Sequence, residues 1–96
     1  MTVSDPVQKH LKIYGRVQGV GFRYFTTKKA EETGVRGWVK NMPDGTVEVF
    51  ISGSKQSVER MKKLLHSGPI AAHVTSIDEL AIEGQSEAFY DFSVRR

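Results

Sequence analysis

Three glycines and two arginines lie close together near the start of the 96-residue chain, in the stretch GRVQGVGFR (residues 15–23). Glycine lets successive backbone N–H groups turn toward a common point, where they can bind an anion. Arg23 follows the last glycine, and its guanidinium can contact two phosphate oxygens at once. The spacing indicates an anion site, although an ordinary glycine turn with a surface arginine fits the same residues.

This stretch differs from two common phosphate-binding loops. No Gly-Lys-Ser/Thr follows its glycines, as a nucleotide-binding Walker loop requires. Cysteine phosphatases place a cysteine six residues before their arginine, but that position is Val17 and the chain has no cysteine. If the stretch belongs to an enzyme, we expect water itself to attack phosphorus.

A second candidate residue, Asn41, ends the run GWVKN (residues 37–41), shortly before the Asp-Gly pair at residues 44–45. Its side-chain amide both donates and accepts hydrogen bonds, which suits it to orient a water molecule without basicity. An asparagine at the end of a strand also commonly caps the turn that follows. The residues alone leave both interpretations open.

The elements that must position these residues follow from the hydrophobic spacing. Five strands are predicted. Alternating residues indicate those at 7–14, 46–52 and 90–94, a β-rich run indicates 35–41, and an irregular β-like run indicates 73–83. One helix is predicted over residues 23–33, ended by Gly34. A second helix is predicted between Ser54, which can cap it, and the Gly68-Pro69 pair that ends it.

The predicted order is therefore β-α-β-β-α-β with an extra C-terminal strand. Two helices of about three turns cannot cover both faces of such a sheet, so both should pack on one face. The expected fold class is α+β, a ferredoxin-like two-layer sandwich with two helices on one face of an antiparallel sheet. We expect one domain, residues 1–96, with a flexible start at residues 1–6. Because this topology has many functions, function must come from the site.

Composition narrows the classes of function. The absence of cysteine excludes disulfides and thiolate nucleophiles, and fits a cytoplasmic location. His10, His66 and His73 lack the spacing of metal ligands, so no metal is expected. Fourteen Lys and Arg against eleven Asp and Glu leave a net charge of only +3, with no dense basic tract. No apolar run approaches the ~20 residues of a membrane span, and the N-terminus lacks the apolar core of a signal peptide.

Five stretches follow one another in a distinctive order: GRVQGVGFR (15–23), GVRGWVKN (34–41), DGTVE (44–48), GPIAAHV (68–74) and the terminal FSV (92–94). Together they resemble the acylphosphatase family over nearly the whole chain. The resemblance implies a small, metal-free hydrolase without a cofactor, which cleaves the carboxyl–phosphate bond of acyl phosphates.

The resemblance also implies roles for individual residues. The family's phosphate-binding arginine corresponds to Arg23, and its water-positioning asparagine corresponds to Asn41. Its phosphate-binding loop corresponds to a segment that we call the glycine loop (residues 15–22): Gly15, Arg16, Val17, Gln18, Gly19, Val20, Gly21 and Phe22. The expected partners are small acyl phosphates, with inorganic phosphate or sulfate as competing ligands. We expect a monomer that binds neither nucleic acid nor membranes.

Two other functions are compatible with parts of the sequence. Tyr14, Trp38 and Phe50 could project from the helix-free face of the sheet, as aromatic residues do in RNA-binding modules of ferredoxin-like fold. The segment TVEVFISG (residues 46–53) lacks the basic-Gly-aromatic pattern of those modules, which favours ordinary cover of an open face. An inactive sensor of small anions would keep the glycine loop, and turnover of benzoyl phosphate would distinguish it from an enzyme.

Overall fold

A computed structural model describes residues 6–82 and 88–96 of the chain. Its elements, in chain order, are β1 (Val7–Arg16), α1 (Phe22–Thr33), β2 (Arg36–Asn41), β3 (Val47–Gly53), α2 (Lys55–Ser67), β4 (His73–Leu80) and β5 (Phe92–Arg95). The predicted order of strands and helices is confirmed. The expected flexible start, residues 1–6, lies outside the described residues except for Pro6. The strand predicted over residues 73–83 ends earlier, at Leu80, and its last predicted residue, Glu83, is outside the described residues.

The five strands form one sheet in the order β4-β1-β3-β2-β5. The β1–β3, β1–β4 and β2–β3 pairs are antiparallel, as predicted. The last pair, β2–β5, is parallel, so the sheet is mixed and not antiparallel throughout. Alternation in a sequence specifies which face of a strand is buried, but it does not specify the strand's neighbour or direction.

The hydrophobic core lies between one face of the sheet and the two helices. Alternate residues of the central strands supply its sheet side: Leu11, Ile13, Val39, Val47, Val49 and Ile51. The helices cover them with Phe22 and Ala30 of α1 and with Val58, Met61 and Leu65 of α2. Each such buried side chain contributes roughly 1.5–3 kcal/mol, so this layer dominates the stability of the fold. No helix in the described ranges is long and apolar enough to cross a membrane.

Aromatic residues lie on the opposite face of the sheet, where the sequence places them. The rings of Trp38 and Phe50 stack with centroids 6.1 Å apart, and the His10 ring lies 5.4 Å from Trp38 and 5.8 Å from Phe50. Phe89 packs 5.3 Å from Phe50, which is only 8% exposed, and the guanidinium of Arg95 lies 5.0 Å from the Trp38 ring. These rings pack against each other, as ordinary cover of an open sheet face does.

The sheet topology brings two distant parts of the sequence together. β1 and β2 run in the same direction on either side of β3, and Ile13 and Asn41 both pair with Val47. The C-terminal ends of β1 and β2 therefore lie at the same edge of the sheet. As a result, the glycine loop, which begins with the last two residues of β1, lies close to Asn41, the last residue of β2.

Candidate active site

The glycine loop is anchored at two points and open between them. Val17 is 1% exposed and Phe22 is 2% exposed, so both side chains belong to the core. Between them, Gly19 and Gly21 are exposed and have φ values of 72° and 79°. Residues with a side chain rarely adopt this left-handed conformation. The loop is thus held firmly while its backbone stays accessible.

Helix α1 begins at the end of this loop without a side-chain cap. Gly21 is the N-cap residue and has no side chain that could bond to the first-turn N–H groups, and the first turn contains no acidic residue. The first N–H groups of a helix have no partner within the helix, and they carry the positive end of the helix dipole. Such a helix start, next to a glycine-rich loop, favours the binding of an anion.

Arg23 adds a full positive charge at the same place. It is the second residue of α1, and its side chain is half-buried. Within residues 6–82 and 88–96 its guanidinium forms no ion pair. A cation near the positive end of a helix is unfavourable on its own. A bound anion would therefore stabilise both Arg23 and the helix start.

A cavity of about 190 Å³ opens beside these groups, lined by Val17, Gly19, Gly21, Phe22, Arg23, Tyr24 and Asn41. One water molecule occupies roughly 30 Å³ in the liquid, so the cavity has room for a phosphoryl group with a water beside it. Its lining thus includes the uncapped helix start, Arg23 and Asn41.

The side-chain oxygen of Asn41 accepts no hydrogen bond from the described part of the protein. Its side chain is half-buried, and its Oδ1 atom is buried without a hydrogen-bond partner among the described residues. Leaving a buried acceptor unpaired costs about 1–3 kcal/mol, so such groups are uncommon in folded proteins. The amide of Asn41 therefore lies at the cavity without a structural task that accounts for it.

The turn after Asn41, residues 42–46, closes without the side chain of Asn41. Met42 N donates to Thr46 O at 2.9 Å, and Gly45 N donates to Met42 O at 3.1 Å. Asp44 Oδ1 accepts from Thr46 N at 3.0 Å and from Thr46 Oγ1 at 2.6 Å. Hydrogen bonds from Lys12 and from Thr46 hold the pKa of Asp44 well below its usual range, so it is ionised at neutral pH. The turn-capping role open to Asn41 is thus filled by Asp44.

Gln18 of the glycine loop bonds to the same turn. Its Nε2 donates to Met42 O and to Thr46 O, each at 2.8 Å. The glycine loop is thereby joined to the residue that directly follows Asn41. The sequence indicated Gln18 only as a member of the glycine loop. Its contact with the 42–46 turn could not be predicted, because the turn is distant in the sequence and the spacing of the glycines and the arginine says nothing about it.

Gly15, Arg16 and Val20 are not among the residues that line the cavity. Gly15 and Arg16 are the last residues of β1 and pair with Val74 and His73 of β4, next to an irregularity in the β1–β4 ladder. A Cβ atom on Gly15 would collide with the carbonyl of His73, so this glycine is needed for strand pairing. Val20 packs against the core.

Tyr24 lines the cavity, although sequence reasoning did not select it. It is the third residue of α1 and is 70% exposed. Its place directly after Arg23, on a helix whose other face is buried, is the signal that could have identified it. An exposed aromatic ring at the rim can contact the organic part of a substrate.

Across the described part of the chain, no group of three or more His, Cys, Asp or Glu side chains is arranged to hold a metal ion. His10 bonds to Glu48 at 2.7 Å on the helix-free face of the sheet, away from the cavity. The positive charge available at the cavity from the described residues is that of Arg23 and the start of α1.

Comparison with known proteins gives consistent matches. The sequence model of the acylphosphatase family matches residues 9–94. An acylphosphatase of Thermococcus kodakarensis is 51% identical over 72 residues, which are 75% of this chain and 79% of that protein. An acylphosphatase of Cupriavidus pinatubonensis is 45% identical over 86 residues, 90% of this chain and 92% of the other. The crystal structure of acylphosphatase from Bacillus subtilis superimposes with a TM-score of 0.86 at 34% identity, over 93% of this chain and 98% of that one.

Proposed function

The chain belongs to the acylphosphatase family, and we propose that it holds and hydrolyses its substrate in the cavity between the start of α1 and the end of β2. Its activity is the hydrolysis of acyl phosphates to a carboxylate and inorganic phosphate. One observation carries the proposed site: a single cavity brings together the uncapped start of α1, Arg23 without an ion-pair partner in the described chain, and Asn41 with its unpaired oxygen.

In this proposal the phosphoryl group binds at the glycine loop. The N–H groups from Gly19 to the first turn of α1 donate to its oxygens, and the guanidinium of Arg23 binds two of them. Phosphoryl transfer spreads negative charge over these oxygens in the transition state, so fixed donors and a fixed positive charge stabilise it. Gly15 and Arg16, at the end of β1, and the core-packed side chain of Val20 support the loop.

Asn41 positions the attacking water. An asparagine amide can accept a hydrogen bond from a water and donate one to it, so it fixes the orientation of that water without removing its proton. The position of Asn41 in the lining of the same cavity as Arg23 supports this role, since the water must lie beside the bound phosphoryl group to attack it.

The reaction needs little further help from the protein. The oxygen of the water forms a bond to phosphorus while the bond between phosphorus and the acyl oxygen breaks. The bonding electrons leave with the carboxylate, which is a stable anion and needs no general acid. We assign the proton of the water to a phosphate oxygen of the substrate, since the described residues that line the cavity include no histidine, carboxylate or lysine.

Several further properties belong to the same proposal. The 96 residues act as one domain and as a monomer, without a metal or other cofactor. Inorganic phosphate and sulfate compete with the substrate, because each matches the charge and shape of the transferred group. The cysteine-free sequence fits an enzyme that acts in the cytoplasm.

The experiment that tests the proposal separates binding from chemistry with Asn41→Ala. If Asn41 only positions water, the inhibition constant of inorganic phosphate should stay within about threefold of the parent value, while kcat for benzoyl phosphate should fall about 10²–10³-fold. Both quantities are measured in EDTA, in which the parent enzyme should remain fully active.

Asn41→Asp serves as the matched variant, because it keeps the shape of the side chain and adds a negative charge. We expect both phosphate binding and turnover to decrease in it. If Asn41→Ala instead lost phosphate binding as severely as turnover, Asn41 would be part of the phosphate site and the water-positioning role would be wrong. Binding of phosphate without any turnover by the parent would identify an anion sensor.

A further inference from the structure

We propose that Gln18 is a positioning residue whose side-chain amide sets the distance between the phosphate-binding backbone and Asn41. The inference rests on the proposed function, because it gives Gln18 a task only if Asn41 orients the attacking water. Gln18 would not contact the substrate. It would act by joining the two sides of the cavity.

The contacts that carry this inference are two hydrogen bonds from one nitrogen. Gln18 Nε2 donates at 2.8 Å to Met42 O and at 2.8 Å to Thr46 O. Each of these carbonyls already accepts a backbone N–H bond within the turn, so Gln18 uses the second lone pair of each. One amide group therefore binds two carbonyls that lie together only when the turn is closed, and it holds the turn against the loop.

These bonds join elements that are otherwise separate. Within residues 6–82 and 88–96, no other hydrogen bond connects the glycine loop to the 42–46 turn. The backbone of Met42 follows Asn41 directly, so a shift of Met42 moves Asn41 with it. The glycine of the next loop position, Gly19, lines the cavity. Gln18 thus sits between the two sides of the site.

The glycine loop and the 42–46 turn each have supports that do not depend on Gln18. Val17 and Phe22 are buried in the core on either side of the loop, and Lys12 Nζ donates to Asp44 Oδ2 at 2.8 Å to brace the turn from the helix-free face. Loss of Gln18 should therefore leave a folded loop and a folded turn. What it removes is the fixed distance between them, and this distance matters for the chemical step more than for phosphate binding.

The first test compares Gln18→Ala with Lys12→Ala in kcat for benzoyl phosphate and in inhibition by inorganic phosphate. Because a misplacement of about 1 Å can slow a reaction by up to ~100-fold, we expect kcat of Gln18→Ala to fall roughly 10- to 100-fold. Its inhibition constant for phosphate should stay within about threefold of the parent, and both quantities should stay within about threefold in Lys12→Ala, which weakens the turn without touching the loop.

A double variant tests whether Gln18 acts through Asn41. If it does, Gln18→Ala added to Asn41→Ala should lower kcat by less than about threefold more, since residues that act as a unit are not additive. A full additional loss of 10-fold or more, of the order seen in the parent background, would mean that Gln18 acts on another group.

Gln18→Glu provides a pH readout that remains informative if Gln18→Ala does not fold. At neutral pH its carboxylate would face two carbonyl oxygens and repel them, whereas the protonated acid can donate to one of them. Its kcat relative to the parent should therefore rise at least about fivefold as the pH is lowered from about 7 toward the usual glutamate pKa of about 4.3. A ratio that stays flat would overturn the positioning role.

The outcomes separate this inference from the proposed function. If Asn41→Ala is slow and Gln18→Ala retains the kcat of the parent, the role of Gln18 is wrong and that of Asn41 stands. If Gln18→Ala loses phosphate binding together with kcat, Gln18 belongs to the phosphate site and the positioning role is again wrong. If Asn41→Ala hydrolyses benzoyl phosphate as fast as the parent, both proposals fail.

Discussion

The two helices of this protein pack on the same face of the sheet, but they begin in different ways. Helix α2 starts after Ser54, whose Oγ accepts a hydrogen bond from Ser57 N at 3.1 Å. Helix α1 starts after Gly21, which has no side chain, and its first turn has neither a cap nor an acidic residue. The capped start lies at the surface, whereas the uncapped start lines the cavity that holds Arg23.

The capped start of α2 contributes to the stability of the fold, whereas the uncapped start of α1 is available to bind a ligand. A serine cap contributes about 1 kcal/mol to the stability of a helix, and α2 uses it. Helix α1 forgoes that contribution and is held by the burial of Phe22, Thr26 and Ala30. Its first N–H groups stay available as a consequence. A helix start that is left unsatisfied by its own sequence, next to an arginine without an ion pair in the described chain, is best explained by a ligand that satisfies both.

The largest effect should come from removing the charge at the uncapped start. Arg23→Ala loses a two-point contact to a doubly charged phosphoryl group, which should cost roughly 3 kcal/mol or more, a decrease of at least about 100-fold in kcat/KM. Because the bound substrate and the transition state both carry this charge, phosphate inhibition should weaken as well. Steady-state kinetics with benzoyl phosphate and phosphate measure both effects.

Arg23→Lys is the matched control, since it keeps the charge but not the planar pair of donors. It should also be severely impaired. A lysine variant with nearly the kcat/KM of the parent would show that charge alone suffices, and the two-point contact would have to be abandoned.

A smaller effect is expected when a negative charge is placed at the start of α1. A Cβ atom added at Gly21 would meet only open space, and Asn and Asp tolerate its left-handed conformation better than most residues. Gly21→Asn and Gly21→Asp share their shape and strain and differ in charge. We expect phosphate affinity to be roughly 10- to 100-fold weaker in Gly21→Asp than in Gly21→Asn, because the carboxylate repels the bound anion. Equal affinities would argue against an anion site at this helix start.

The smallest effect belongs to the capped helix. Ser54→Ala removes the cap of α2 and should lower the free energy of unfolding by about 1 kcal/mol. Since α2 does not line the cavity, kcat/KM for benzoyl phosphate should not change. Urea denaturation and kinetics on the same protein check the two parts. A loss of activity without a loss of stability would contradict the division of roles between the helices.

The sequence predicts most of the fold because local patterns decide most of it. Alternation in β3 and the stripe of Val58, Met61 and Leu65 in α2 specify which sides are buried, and Gly34 and Ser54 define helix ends. The direction of β5 could not be predicted. It depends on which edge of the sheet the chain reaches after β4, and a strand of four residues does not contain that information.

The residue types of the site could be predicted from the sequence, whereas most contacts between its residues could not. Arg23 and the glycines stand within one short stretch, so their proximity follows from chain continuity alone. The contacts of Gln18 with Met42 and Thr46 depend on β1 and β2 running in the same direction beside β3, which only the folded sheet shows. The buried, unpaired oxygen of Asn41 is likewise a property of packing.

A titration with inorganic phosphate, followed by backbone amide NMR, shows whether the uncapped start of α1 is the phosphate site. If it is, the first and largest chemical-shift changes should appear at the amides of residues 19–23. The amides at the capped start of α2, residues 54–57, should remain nearly unchanged over the same titration. Shifts concentrated on the aromatic face around Trp38 and Phe50, with residues 19–23 unaffected, would mean that phosphate binds elsewhere.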